Sequence, residues 1–185
     1  MKARSGLMVL AASVALVCWA SLVSADHVGE LEVQGDIRIT QAGSGEQLRF
    51  RDTTFAVFAG DRLATGSGSA SLRTEAGASL AIGPNSEVVL LGDSGSLHAE
   101  LIRGTLGYLG NGSPAALRVN GQDFGPSGQL LMFAVDADGR LTRQEGAEAQ
   151  ALAGQSGLEI IDRRLVPACR DRGLCEHTRP RSISP

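Results

Sequence analysis

The stretch that decides the fold runs from Ala56 to Leu91 and reads AVFAGDRLATGSGSASLRTEAGASLAIGPNSEVVLL. Apolar and polar residues alternate in Ala70-Ser71-Leu72-Arg73-Thr74 and again in Ala78-Ser79-Leu80-Ala81-Ile82. A strand turns successive side chains to opposite faces, so this pattern makes one greasy face and one wet face. Glu75-Ala76-Gly77 lies between the two runs, and Gly77 supplies the positive φ of a tight turn. A hairpin from Ser69 to Ile82 follows. Gly83-Pro84-Asn85-Ser86 then turns the chain into a third strand, Glu87 to Leu91. Upstream, Ala59-Gly60-Asp61 and Thr65-Gly66-Ser67-Gly68-Ser69 bracket a short run at Arg62-Leu63-Ala64.

The same punctuation continues on both sides. Strands are expected at Val28–Val33, Ile37–Thr40 and Gln47–Phe50, and beyond the central stretch at Leu97–Arg103, Thr105–Leu109 and Ala116–Val119. Asn120-Gly121 is a type I′ hairpin dipeptide. Leu130–Val135 is the most apolar run outside the N-terminus and reads as a strand buried on both faces. Asp136-Ala137-Asp138-Gly139 turns it back into Arg140–Gln144. Strands recurring every 8–12 residues, with turn residues between, are the pattern of an antiparallel sandwich or barrel.

Several segments resemble the FecR-domain family of bacterial envelope proteins. They are GDRLATG, then SASLRT, then GASLAIGPNSEVVLL, and further on Leu101-Ile102-Arg103-Gly104-Thr105-Leu106. Val135–Gly139 and Ala153–Leu158 are similar to the closing part of that pattern, so the likeness spans Val28 to Ile161. The matching residues are Gly60, Asp61, Thr65, Gly66, Gly77, Gly83, Pro84, Asn85, Ser86, Arg103 and Gly104. All are turn and strand residues, specific for a fold and weak for a function. The resemblance implies an all-β, antiparallel, jelly-roll-like sandwich used for sensing or protein–protein contact. It also places a strand at Ala147–Leu152, although that Ala-rich segment has the propensity of a helix. Family members that regulate sigma factors carry a cytoplasmic domain ahead of the membrane. Here only Met1 to Ser5 precede the apolar run, which points instead to a stand-alone exported domain.

The first 25 residues have the form of a secretory signal. Lys2 and Arg4 precede an apolar run from Gly6 to Val23, and Val23-Ser24-Ala25 is a small-x-small cleavage site after Ala25. The rival reading is a retained anchor, since the run approaches a membrane span in length. A lipoprotein reading on Cys18 lacks the small residue normally found just before such a cysteine. The chain therefore divides into a signal at 1–25, a β domain at 26–162 and a basic, flexible tail at 163–185, and the processed protein is periplasmic or secreted.

Aromatic residues are only 4% of the chain, so its core is built from Val, Leu, Ile and Ala. Between residues 26 and 162 there are 9 arginines against 18 acidic residues, and from 163 onward 6 arginines against 2 acidic residues. An acidic body does not suit nucleic acid, whose phosphates need clustered cations. The expected partner is an envelope protein or glycan. Membrane contact is expected only through an uncleaved signal or the basic tail.

The candidate chemistry is thin. Cys169 and Cys175 form the pair left after removal of the signal, and in an exported chain they read first as a disulfide. A zinc reading would add His177 or Glu176, but oxidised cysteines do not ligate as thiolates. Gly92-Asp93-Ser94-Gly95 matches the segment around a serine-protease nucleophile, yet only His27 lies upstream and its surroundings do not match that family's base. Asp136, Asp138 and Gly139 match a fragment of a calcium loop without its distal Glu, and read as a hairpin turn. Asn111-Gly112-Ser113 spells a glycosylation sequon inside a turn. His98 falls on the face opposite Leu97 and Leu101. No cofactor, metal site or catalytic residue is expected, and the reading is of a non-enzymatic binding module. A structural envelope component is the alternative, and a small hydrolase the weakest reading.

Overall fold

A computed structural model describes residues 26–92, 96–110, 117–124, 128–161 and 164–168. The signal segment with Ala25 and Cys18, Asp93 to Gly95 with Ser94, the sequon at Asn111, and Cys169, Cys175, Glu176 and His177 lie outside the described residues.

The described chain is mostly antiparallel β. Its strands are β1 (His27–Gln34), β2 (Asp36–Thr40), β3 (Gln47–Arg51), β4 (Thr54–Phe58), β5 (Arg62–Thr65), β6 (Ser69–Arg73), β7 (Ser79–Ile82) and β8 (Glu87–Leu90). They continue with β9 (Leu97–Leu109), β10 (Leu117–Val119), β11 (Gln122–Phe124), β12 (Leu130–Val135) and β13 (Leu141–Glu145). The helix α1 (Gly146–Gln155) and the ribbon β14 (Leu158–Ile161) and β15 (Arg164–Pro167) complete the fold.

Two sheets share β9. Sheet A runs β4-β1-β6-β7-β9-β12-β13 and sheet B runs β3-β2-β5-β8-β9-β10-β11. The first half of β9 pairs with β8 and the second half with β7 and β12. The change of sheet falls at a register shift opposite Glu87 and Val88, followed by Gly104 at φ 86°. An extra residue bends and twists a strand at such a point. Gly104 is required there on two counts: its φ is left-handed, and a Cβ would stand 2.3 Å from Ser86 Oγ. The two strands expected at Leu97–Arg103 and Thr105–Leu109 are therefore one strand serving both layers.

The inner faces meet in one core. Leu31, Leu72, Leu80, Leu106, Tyr108 and Phe133 come from sheet A, and Ile37, Leu63, Leu90, Leu101 and Leu117 from sheet B. Tyr108 and Phe133 are its largest fully buried side chains, and burial pushes the Tyr108 phenol pKa up. The alternation seen in the sequence is the alternation of this core, and β12 is indeed buried on both faces. Leu131 and Phe133 point inward, while Leu130 and Met132 join a second cluster outside sheet A.

That second cluster brings two corrections. Residues 146–155 are helical, not the strand implied by the family resemblance. Ala147, Ala149, Ala151 and Ala153 alternate with bulkier residues and so imitate a strand. Alanine is the best helix former, though, and Ala149 and Ala153, one turn apart, are the helix's buried residues. The second correction concerns the segment from Arg163 to Pro167, expected to leave the fold. Arg164–Pro167 pairs antiparallel with β14, and Leu165 is fully buried against sheet A. The packed chain reaches Pro167 rather than stopping at Asp162. No helix among the described residues is long and apolar enough to cross a membrane.

Candidate functional site

Most of the turn residues singled out in the sequence gather where the chain passes between sheets. Thr65 Oγ1–H donates to the Gly83 carbonyl at 2.7 Å, and Ser86 N–H donates back to Thr65 Oγ1 at 2.9 Å. Ser86 Oγ accepts from Thr105 N–H at 2.9 Å, next to Gly104. Asn85, at φ 54°, donates its N–H to the Gly66 carbonyl. Asp61 accepts from the N–H groups of Ala42 and Phe58, and Gly60 N–H donates to the Leu90 carbonyl. Gly77 closes the hairpin by donating to the Thr74 carbonyl. Pro84 sits in the turn whose carbonyl accepts from the Ser86 hydroxyl. These groups spend hydrogen bonds on the backbone of neighbouring turns, which fits a structural role.

Arg103 belongs elsewhere, on the outer face of sheet B. Six of the nine arginines between residues 26 and 162 lie on that face: Arg38, Arg49, Arg51, Arg62, Arg103 and Arg118. They stand there because residues directly opposite in a ladder share a face, and β2, β3, β5, β8 and β10 each turn their polar set outward. Arg51 grips Asp36 with two bonds, 2.7 and 2.6 Å. Arg118 grips Asp123 the same way, at 2.5 and 2.9 Å. Hydrogen bonding from each guanidinium holds the partner carboxyl below the usual aspartate range. Glu87, the least exposed acid of the face, is shared by Arg62 and Arg103.

Arg38 and Arg49 differ. They are directly opposite each other across β2 and β3, both exposed, and neither takes part in an ion pair among the described residues. Like charges placed opposite in a ladder are unfavourable. On the other side of Arg38 stands Ala64, which is itself opposite Glu87 in the next strand. Two guanidiniums side by side can hold a carboxylate, phosphate or sulfate by charge-assisted bonds. Sequence reasoning did not single this pair out. The signal available was Ile37-Arg38-Ile39 facing Leu48-Arg49-Phe50 in adjacent strands.

Sheet A offers a groove of about 460 Å³ beside β15. Glu30, Glu32, Arg73 and Arg164 line it, and Ser71 and Ser79 form part of its floor. The two hydroxyls are committed. Both donate to the Leu165 carbonyl, at 2.8 and 3.2 Å, and Ser79 Oγ accepts from Leu165 N–H. They are struts for β15. His27 lies against Phe58 and Glu75, and His98 is half-buried on the outer face of sheet B opposite Arg118. Asp136 Oδ1 accepts from the N–H groups of Asp138 and Arg140, so it builds the hairpin turn. Among the described residues no three of His, Cys, Asp and Glu come together as metal ligands. Asn120 (φ 48°) and Gly121 (φ 78°) form the expected hairpin between β10 and β11. Asn120 also clamps Leu101, accepting from its N–H and donating to its carbonyl.

Comparison with protein-family models, with curated proteins and with solved structures finds no match for this chain.

Proposed function

We propose that this protein is a non-enzymatic, exported binding module of the cell envelope, and that the outer face of sheet B meets its partner. The partner is an envelope protein or glycan presenting carboxylate or other anionic groups. The observation that carries this reading is the pair Arg38 and Arg49, opposed and without an ion pair among the described residues, on the face that gathers most of the arginines of an otherwise acidic body. An arrangement of like charges that costs stability locally suits a site completed by a partner's anion. The FecR-like turn and strand residues support a fold of that kind, and the N-terminal sequence supports export.

The test is retention of envelope components by immobilised protein as salt is raised. Wild type should retain a defined anionic component at low salt and lose it progressively, since exposed charge pairs are screened within about 8–10 Å at physiological ionic strength. Arg38→Glu/Arg49→Glu should lose retention while keeping the wild-type circular dichroism spectrum. Equal retention by both proteins would refute the reading.

A further inference from the structure

We propose that β4 is an edge through which two copies of this chain pair, antiparallel, about a two-fold axis at Phe55. Four strands end the two sheets: β3 and β11 in sheet B, β4 and β13 in sheet A. An edge strand displays unpaired N–H and C=O groups, and folded proteins commonly blunt it with charge. Three of the four edges carry a charge at their centre: Arg49 in β3, Asp123 in β11 and Arg143 in β13. Antiparallel self-pairing about any of those centres would set like charges face to face. β4, Thr54-Phe55-Ala56-Val57-Phe58, carries no charge and no proline.

Its free side can be read from the hydrogen bonds. Successive residues of a strand direct their backbone groups to opposite sides. Ala59 N–H donates to the Asp26 carbonyl, and the Thr53 carbonyl accepts from Val33 N–H, so the odd-numbered residues face β1. Thr54, Ala56 and Phe58 face away. Phe58 is already satisfied: its N–H donates to Asp61 Oδ2 at 3.0 Å and its carbonyl accepts from Asp61 N–H at 3.1 Å. Among the described residues Thr54 and Ala56 are left, two donors and two acceptors spaced one rung apart. Antiparallel pairing centred on Phe55 sets Thr54 against Ala56 of the second copy, twice, and uses all of them. A pairing centred on Ala56 would waste the Thr54 groups on the satisfied Phe58. The closed two-fold arrangement also ends there, without propagating into a fibre. Beside the edge, Phe58 is about one-third exposed and is covered further by the partner strand.

This pairing uses sheet A and is independent of the arginine face. Sedimentation of the full chain over a wide concentration range tests it. The expected result is a monomer–dimer equilibrium, with no larger species. Ala56→Pro removes only an outward N–H and leaves the ladder to β1 intact, because proline suits an edge strand whose N–H faces solvent. It should weaken dimerisation at least about tenfold, the effect of losing two main-chain bonds across the pair. Arg38→Glu/Arg49→Glu should dimerise like wild type. Should Ala56→Pro fail to fold, a mixture of Thr54→Cys and Ala56→Cys chains provides the check. Oxidation should crosslink the mixture and neither chain alone beyond the wild-type background. A wild type monomeric at every concentration overturns the proposal, as does a dimer unaffected by Ala56→Pro or a crosslink indifferent to mixing.

Discussion

Sheet A turns Ala81, Leu109, Leu130 and Met132 outward, whereas sheet B turns Arg38, Arg62, Glu87 and Glu100 outward. The first set is greasy and is covered by α1 and β15; the second is charged and is covered by nothing in the described chain. Both sheets have the same alternation and share β9, so the difference lies in what the wet face was made of. Where sheet A is apolar on both faces, around β7, β9 and β12, both must be buried, and the chain supplies its own second layer there. A sheet whose outer face is a lattice of arginines and carboxylates is already compatible with water, and can await a partner.

Leu165 is the point on which that contrast turns. It is fully buried, its backbone is held by Ser71 and Ser79, and its side chain fills the space above Gly107. Leu165→Ala should therefore lower unfolding free energy by about 2–5 kcal/mol in denaturant titration. Val89→Ala, on the outer face of sheet B, should cost less than about 1 kcal/mol. Equal losses would erase the distinction between the faces. Ser71→Ala/Ser79→Ala strands the Leu165 N–H and carbonyl under the ribbon, and should cost about 1–3 kcal/mol. A comparable loss is expected for Gly107→Ala. A Cβ there would stand 2.3 Å from a Leu165 methyl and 2.8 Å from Met132 Sδ. Overpacking of that kind costs about 1–3 kcal/mol, and a smaller value would mean the outer layer yields easily.

The smallest effect belongs to sheet B. Arg51 holds the Asp36 carboxyl below its ordinary value of 3.8. A group depressed on folding stabilises above its unfolded pKa and loses that contribution as pH falls through the folded one. The melting temperature should thus drop as pH falls below 3.8, and Arg51→Ala should flatten part of that drop. The pair is exposed, so added salt should shrink the difference.

How much of this could be read from the sequence depends on range. The hairpins at Ser69–Ile82 and Leu117–Phe124 follow from neighbours: alternating runs joined by Gly77 or by Asn120-Gly121. The double burial of β12 was legible because six apolar residues in a row leave no wet face. The helix was half legible: its alanines carry helix propensity, and only the family resemblance placed a strand there. β15 was hidden by its company. Leu165-Val166-Pro167 is short, ends in proline and follows two arginines, and only the Ser71 and Ser79 hydroxyls, some ninety residues earlier, explain its place. The arginine face was invisible for the same reason. Ala64 and Glu87 extend the Arg38–Arg49 row only through the strand order β3-β2-β5-β8, a long-range property that no local pattern encodes.

Hydrogen exchange of the full chain, resolved at the amides of β6, β7 and β15, tests most directly whether one outer face belongs to the fold while the other is left open. The contrast described here predicts that β15, with Leu165 N–H bonded to Ser79, exchanges as slowly as β7 and in the same cooperative unit. Fast exchange at Leu165 and Val166, with β6 and β7 still protected, would show sheet A as bare as sheet B and would contradict it.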